Sequence, residues 1–495
     1  MTFFAIECKI IVCGKKYNPQ LCRTKRDKRV VYLVFSSLEF IFIFLPAFFI
    51  AYAAVPQKYR NFILFTASVI FYGLGVKKPV YIILFLLTLL LNFIVGQFIE
   101  NAKKTKKLWL FFGVAFNFWW LIFFKYWGFL GENINALFKT GLTVKDIILP
   151  IGISFYTFQN VSYIADVYRG TVRAEKNLIN YGAYLTMFPQ LIAGPIVTYQ
   201  TVAQQLRTRT HNIRLVEDGL KTFTIGLGYK VLIANQLSGL WNDIAMIGYE
   251  SVSTPLAWMG IFAYSFQLYF DFNGYSLMAI GLGRIMGFEI PKNFDYPYLS
   301  VTMTEFWRRW HITLGTWFKE NVYFPLGGSR RGPSKTLRNT FIVWLFTGVW
   351  HGASWNFIVW GLVLFAIIMS EKFWTGKFLN KYKFIGHCYM ILIIPLTWLL
   401  FAITDFERLG VYFGRLIPIF GKGGTAVLEN DYVTSWETYR IFFVAAFIFS
   451  TKLPEIIYKK IKNSMFCALV LLAVFWGSVY CMYKGMNDPF MYFRF

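Results

Sequence analysis

The chain has 495 residues, 57% of them hydrophobic, 21% aromatic and 15% charged, with a formal net charge of +25. A soluble domain carries roughly 25% charged residues, so the composition excludes a soluble globular protein. The Lys and Arg surplus lies in short runs between apolar stretches, such as Lys103-Lys104-Thr105-Lys106-Lys107, Arg330-Arg331 and Lys459-Lys460-Ile461-Lys462. That pattern argues against a nucleic-acid partner and for cytoplasmic loops facing anionic lipid headgroups.

In chain order, residues 1–33 form a basic N-terminal extension, read as disordered or as an unused upstream start. Its charge (Lys9, Lys15, Lys16, then Arg23 to Arg29) follows the apolar part, the reverse of a signal peptide. The runs Phe40–Val55 and Pro79–Phe98 approach the roughly 20 apolar residues that cross a bilayer. Spans are expected at Val31–Val55, Asn61–Leu74, Val80–Ile99 and Leu108–Phe124, followed by a polar segment from Glu132 to Lys145 and a span at Ile147–Val167. Pro189, Gly194 and Pro195 make Tyr181–Tyr199 a broken or re-entrant segment. Leu220–Ile247 and Thr254–Phe270 follow; Asp271 then interrupts the apolar run, with a helix N-cap as its simplest role. Met278–Phe288, Phe306–Phe324, Trp344–Met369, Ile391–Ile403, Thr438–Thr451 and Phe466–Tyr483 complete about 11–13 membrane segments, with Lys422–Glu437 a loop. The fold class is an all-α polytopic membrane protein. Six Cys show no CxxC pair and no ligand spacing, so neither a disulfide framework nor a zinc site is expected.

Of four histidines, His311 and His351 fall inside oily segments, each beside a tryptophan. An ionisable group at membrane depth needs a partner or a cavity, and its default reading is functional. If Phe306–Phe324 is one helix, Trp307, Trp310 and His311 share a wall, because residues three and four apart are neighbours. Trp317 extends that wall; Trp350 and Asn356 flank His351. An aromatic lining suits a narrow channel for an acyl chain or a pantetheine arm. An imidazole between a hydroxyl and a thioester can serve as general base, and a second polar group can orient it or stabilise the oxyanion. The alternative is that each histidine packs structurally. Asp271, Asp295 and Glu305 have no spacing that recommends them as metal ligands, so no metal is expected. Arg330 and Arg331 lie between the histidines, where they meet either headgroups or substrate phosphates.

Several blocks resemble the membrane-bound O-acyltransferase (MBOAT) family, in its bacterial alginate O-acetyltransferase branch. They are Leu149 to Gln159, Asp166 to Gly170, Phe188 to Val197, Tyr269 to Ser276 with Pro291 to Phe294, the stretches around both histidines, and the ending Phe490 to Phe495. The resemblance runs from about residue 34, making 34–495 the transmembrane domain. It implies a ring of tilted and re-entrant helices around a central funnel, with His351 as the catalytic histidine and His311 at the second family position. It further implies no bound cofactor and acetyl-CoA as the donor substrate. The acceptor would be a cell-surface polysaccharide, the partner an extracytoplasmic SGNH-type acetyltransferase or esterase, and the location the bacterial cytoplasmic membrane. D-alanyl transfer to teichoic acid and transport of a lipid-linked saccharide are the competing readings.

Overall fold

The computed structural model describes residues 35–76, 78–144, 147–192, 194–420 and 430–485. The predicted extension 1–33 and the ending Phe490–Phe495 lie outside them. Among the described residues there is no strand. A π-helical turn at Phe40–Phe44 leads into α1 (Leu45–Ala54), followed by α2 (Arg60–Gly75) and α3 (Val80–Asn101). α4 (Lys106–Phe138) runs through Glu132, where a polar segment was expected. Its last turns persist because their polar side chains find partners: Asn133 donates to the Phe129 carbonyl at 2.7 Å, and the Asn135 side chain accepts from the Leu142 amide at 2.7 Å.

α5 (Ile153–Arg169) starts after Gly152, whose φ of 74° only glycine adopts freely. The segment expected to be broken is broken, into α6 (Leu178–Thr186), α7 (Phe188–Leu191) and α8 (Tyr199–Val202). α9 (Ile213–Gly228) passes through a π-helical stretch, Tyr229–Ala234, into α10 (Asn235–Ile247). α11 (Thr254–Met286) is continuous, so Asp271 is not a cap. It survives inside a helix because its carboxylate meets Lys230 Nζ at 2.6 Å, with both side chains buried. α12 (Met303–Arg309) and α13 (Ile312–Phe318) replace the single helix expected there, and α14 (Pro333–His351) and α15 (Trp355–Ser370) replace another. α16 (Gly376–Lys381), α17 (Lys383–Ala402), α18 (Phe406–Leu416), α19 (Asp431–Phe449), α20 (Leu453–Ile461) and α21 (Met465–Tyr483) complete the chain. Residues 431–437, read from sequence as loop, are the start of α19.

Among the described residues, five helical stretches are long and apolar enough to cross a bilayer: Val80–Asn101, Lys106–Phe138, Trp355–Lys381, Lys383–Ala402 and Met465–Tyr483. The pair α19 and α20, bent by 74°, makes a sixth if it forms one broken span. The protein is therefore an all-α, multi-pass membrane protein. Many remaining helices carry polar side chains into the protein interior, such as Gln159, Asn160 and Ser162 on α5.

Two features place the site. α9 and α11 cross at glycines: a Cβ on Gly226 would lie 2.5 Å from the Gly274 carbonyl, and one on Gly281 2.5 Å from the Gly219 carbonyl. Such close approach of backbones is how helices pack where burial of apolar surface gives little drive. Second, the apolar interior divides into two clusters. One gathers α1 to α8, the second half of α11 and α13. The other gathers α10, the first half of α11, α12, α15 and α17. α11 crosses the seam between them, and so does the chain passing from α12 to α13.

Candidate active site

His311 is the residue at which the chain changes cluster. Phe306 and Trp310 before it belong to the second cluster; Leu314, Trp317 and Phe318 after it belong to the first. The switch requires a sharp turn, and His311 adopts φ 45° and ψ 53°, in the left-handed region. A non-glycine residue there costs on the order of 1–3 kcal/mol and persists only when its surroundings impose it. They do so here through the 293–295 strap: the Ile312 amide donates to the Asn293 carbonyl and the Asp295 amide to the Arg309 carbonyl, each at 2.9 Å.

The His311 ring is 2% exposed. Its Nδ1 lies 3.1 Å from Asn293 Oδ1, and its Nε2 has no partner. The hydrogen bonds around Asn293 decide the tautomer. Thr313 Oγ1 accepts from the Ile196 amide at 3.0 Å, so its own hydrogen goes to Asn293 Oδ1 at 2.9 Å. The Thr313 amide also donates to that oxygen, at 3.3 Å, while Asn293 Nδ2 donates to Ser276 Oγ at 3.2 Å. An oxygen already facing two donors is an acceptor, so the His311 Nδ1 carries the proton.

His351 is the last residue of α14. Gly352 is extended and Trp355 begins α15, so the imidazole stands at the turn of a helical hairpin. The hairpin is closed by glycines: a Cβ on Gly348 would sit 2.4 Å from the Phe357 carbonyl, and one on Gly361 2.5 Å from the Trp344 carbonyl. The extended part of α4 braces the turn. Lys125 Nζ donates to the Trp350 carbonyl and, at 3.0 Å, to the His351 carbonyl; Trp355 Nε1 donates to Asn133 Oδ1 at 3.0 Å. The amino group there satisfies carbonyls the helix leaves unpaired. The His351 ring is 7% exposed and packs edge-on against Trp350, Trp360 and Phe401, with centroids 4.8, 5.0 and 5.3 Å away. Its Nε2 has no partner.

The two imidazoles share one neighbour. The Trp350 ring lies 6.3 Å from His311 and 4.8 Å from His351, centroid to centroid. Trp350 belongs to the first cluster, whereas Phe272 and Trp360, which contact the two histidines, belong to the second. Both rings therefore sit on the seam. Trp350 Nε1 and Trp360 Nε1 are likewise buried without a partner. Buried polar atoms are nearly always hydrogen-bonded to protein, water or ligand, so these four nitrogens are open to a polar group entering the seam. A cavity of about 100 Å³ opens beside His351, lined by Lys125, residues 149–155, Ile192 and Trp350.

The other residues singled out from the sequence are dispersed. Trp307 and Trp310 do not share a helical wall with His311, because the helix ends at Arg309. They pack instead in the second cluster, Trp307 against Trp344 at 5.0 Å and Trp310 against Trp398 at 5.0 Å. Trp317 stacks on Phe158 at 3.8 Å and donates to its carbonyl at 2.9 Å; Phe158 in turn stacks on Trp350 at 5.3 Å. Asn356 is buried, donating to the Leu400 carbonyl at 3.0 Å, with its Oδ1 unpartnered. Arg330 and Arg331 are exposed. They precede α14 and so lie at the opposite end of it from His351, about 27 Å away at 1.5 Å per residue. Among the described residues, no group of three His, Cys, Asp or Glu side chains is placed to hold a metal.

Sequence reasoning passed over Asn293 and Lys125. Asn293 lay in the block Pro291-Lys292-Asn293-Phe294, whose role was unassigned. Lys125 is a lone cation in an aromatic run, Phe123-Phe124-Lys125-Tyr126-Trp127, and its isolation was the available signal.

A multi-pass helical protein with two imidazoles buried on an internal seam has the ingredients of an enzyme that transfers a group within the membrane. Residues 172–415 match MBOAT, the membrane-bound O-acyltransferase family. The chain is 38% identical over 411 residues to the probable alginate O-acetylase AlgI of Pseudomonas putida, covering 81% of this chain and 84% of that protein. It is 34% identical over 417 residues to a peptidoglycan O-acetyltransferase of Helicobacter pylori, covering 77% and 79%. It is 29% identical over 254 residues to a teichoic acid D-alanyltransferase of Bacillus subtilis, covering 48% and 63%. The chain belongs to the membrane-bound O-acyltransferase family, and it is an O-acyltransferase.

Proposed function

We propose that this enzyme, in the bacterial cytoplasmic membrane, takes acetyl groups from cytoplasmic acetyl-CoA for O-acetylation of a cell-surface polysaccharide, an alginate-like exopolysaccharide or peptidoglycan. The observation that carries the reading is the pair of buried imidazoles around Trp350, each with an unpartnered Nε2. The names of the relatives support the acyl group and the acceptor. Those that cover most of the chain are acetyl-transferring, whereas the D-alanyltransferase match covers 48% of it.

In this reading His351 Nε2 takes the proton of the attacking hydroxyl as its oxygen bonds to the thioester carbonyl carbon. The C–S bond then breaks, and the same proton passes to the thiolate, leaving ester and free thiol. A positioned base of this kind contributes about 10²–10⁴ in rate. Trp350, Trp317 and Phe158 offer an aromatic wall for the pantetheine arm, and Arg330 and Arg331 meet the phosphates at the far end of α14. An SGNH-type partner on the outer face completes transfer to the glycan.

The test is purified protein in detergent with acetyl-labelled CoA thioester. His351→Ala abolishes thioester cleavage and, in cells, alkali-labile acetate on the glycan, at unchanged protein level. Undiminished acetate in that variant overturns the proposal. Release of D-alanine from a carrier thioester in place of acetate favours the teichoic acid reading.

A further inference from the structure

We infer that Asn293 is a positioning residue that holds His311 as a hydrogen-bond acceptor toward the seam, where it receives an N–H donor of the thioester substrate. The argument is one of valence. Asn293 Oδ1 faces the Thr313 amide, which can only donate, and accepts from the Thr313 hydroxyl as well. Turning the side-chain amide over would set its N–H groups against the Thr313 amide, a donor that cannot accept, although the Thr313 and Ser276 hydroxyls could reverse their roles. The amide orientation is therefore fixed, the third group on that oxygen, His311 Nδ1, must be N–H, and a neutral imidazole then has its lone pair on Nε2. The fixed tautomer excludes one role: a neutral His311 has no hydrogen on Nε2 with which to stabilise an oxyanion. It must instead accept.

The backbone adds a second constraint. The left-handed turn at His311 places the ring at the crossing between clusters, edge-on to Phe272 at 4.6 Å, so its Nε2 has no alternative donor among the described residues. Resting on the acetyl-CoA reading, the matching donor is an amide N–H of the pantetheine arm, which carries such groups along the path to the thioester. His351 remains free for the hydroxyl proton. Asn293 acts only through His311.

The chain has four histidines, so histidine-selective ¹⁵N labelling in detergent, with assignment by His311→Ala, resolves each ring. The wild-type protein shows His311 protonated at Nδ1 and bare at Nε2; the opposite pattern overturns the inference whatever the enzyme's substrate. Asn293→Ala gives a mixture of tautomers and raises KM for acetyl-CoA about tenfold, with kcat within threefold, the signature of a contact made equally in ground and transition states. Asn293→Asp, which still accepts from Nδ1, restores the wild-type tautomer and most of the KM. Asn293→Ala combined with His311→Ala behaves like His311→Ala alone. Additive losses, or a fall in kcat at unchanged KM, overturn the inference. Loss of acetyl-CoA turnover in His351→Ala alongside an intact His311 tautomer separates the two proposals.

Discussion

The α14–α15 hairpin carries His351 at its turn, and its geometry is set by contact between two backbones. Gly348→Ala therefore tests the site from a residue that cannot itself react. The added Cβ would lie 2.4 Å from the Phe357 carbonyl, whereas ordinary contact begins near 3.4 Å, so the two helices must part by about 1 Å. Overpacking of this kind costs about 1–3 kcal/mol, while replacing a helical glycine by alanine returns about 1 kcal/mol. The net loss, roughly 0–2 kcal/mol, leaves the protein folded. Activity has no such offset, because His351 is three residues along the same helix and a displacement of about 1 Å at a reacting group can cost about 10²-fold. The expected result is a thermal midpoint in detergent lowered by a few degrees, with acetyl transfer down about 100-fold. Gly477→Ala, where a Cβ meets open space in α21, is the control: it raises the midpoint slightly and leaves transfer unchanged. Transfer within threefold of wild type in Gly348→Ala would refute the claim that this crossing positions the imidazole.

Asp271→Asn leaves the Lys230 ammonium buried without its carboxylate, and should cost about 3–5 kcal/mol in thermal unfolding. Lys230→Met with Asp271→Leu should recover most of it; equal losses in the single and double variants would contradict a structural ion pair. Trp317→Leu removes the ring stacked on Phe158 and its hydrogen bond, and should destabilise by about 2–4 kcal/mol. Trp317→Phe should lose less than half of that, and a destabilisation equal to that of the leucine variant would show that stacking is unimportant. The double variant Arg330→Ala/Arg331→Ala should raise KM for acetyl-CoA about tenfold at constant kcat, measured by initial rates in detergent at low salt. An unchanged KM would assign these arginines to lipid headgroups.

Much of the fold was legible because membrane segments announce themselves by run length. α2, α3 and α21 start and stop within a few residues of where the hydropathy changes, whereas α17 begins at Lys383, eight residues before the expected Ile391, and the Pro189 to Pro195 stretch broke its helix as backbone chemistry demands. The failures share a cause. A local pattern reports how oily a stretch is but not what lies across from it. Asp271 looked like a helix start because small and polar residues follow it, as at an N-cap; its partner, Lys230, arrives from another helix. The stretch through His311 looked like one helix because it is one continuous, aromatic-rich run without a proline; the break comes from a strap eighteen residues earlier in the chain.

The sequence by itself determined the class of the protein, through the length of its apolar runs, and it singled out His311 and His351, because an imidazole in hydrocarbon has to be accounted for. Only the tertiary structure decided that both rings meet Trp350 on the seam between two apolar clusters, that Asn293 Oδ1 lies against Nδ1 of one, and that Lys125 closes the helix carrying the other. Those contacts join residues as far as 226 positions apart. They depend on which backbones approach at Gly348, Gly361, Gly226 and Gly274, and close approach of that kind leaves no trace in hydropathy or helical period.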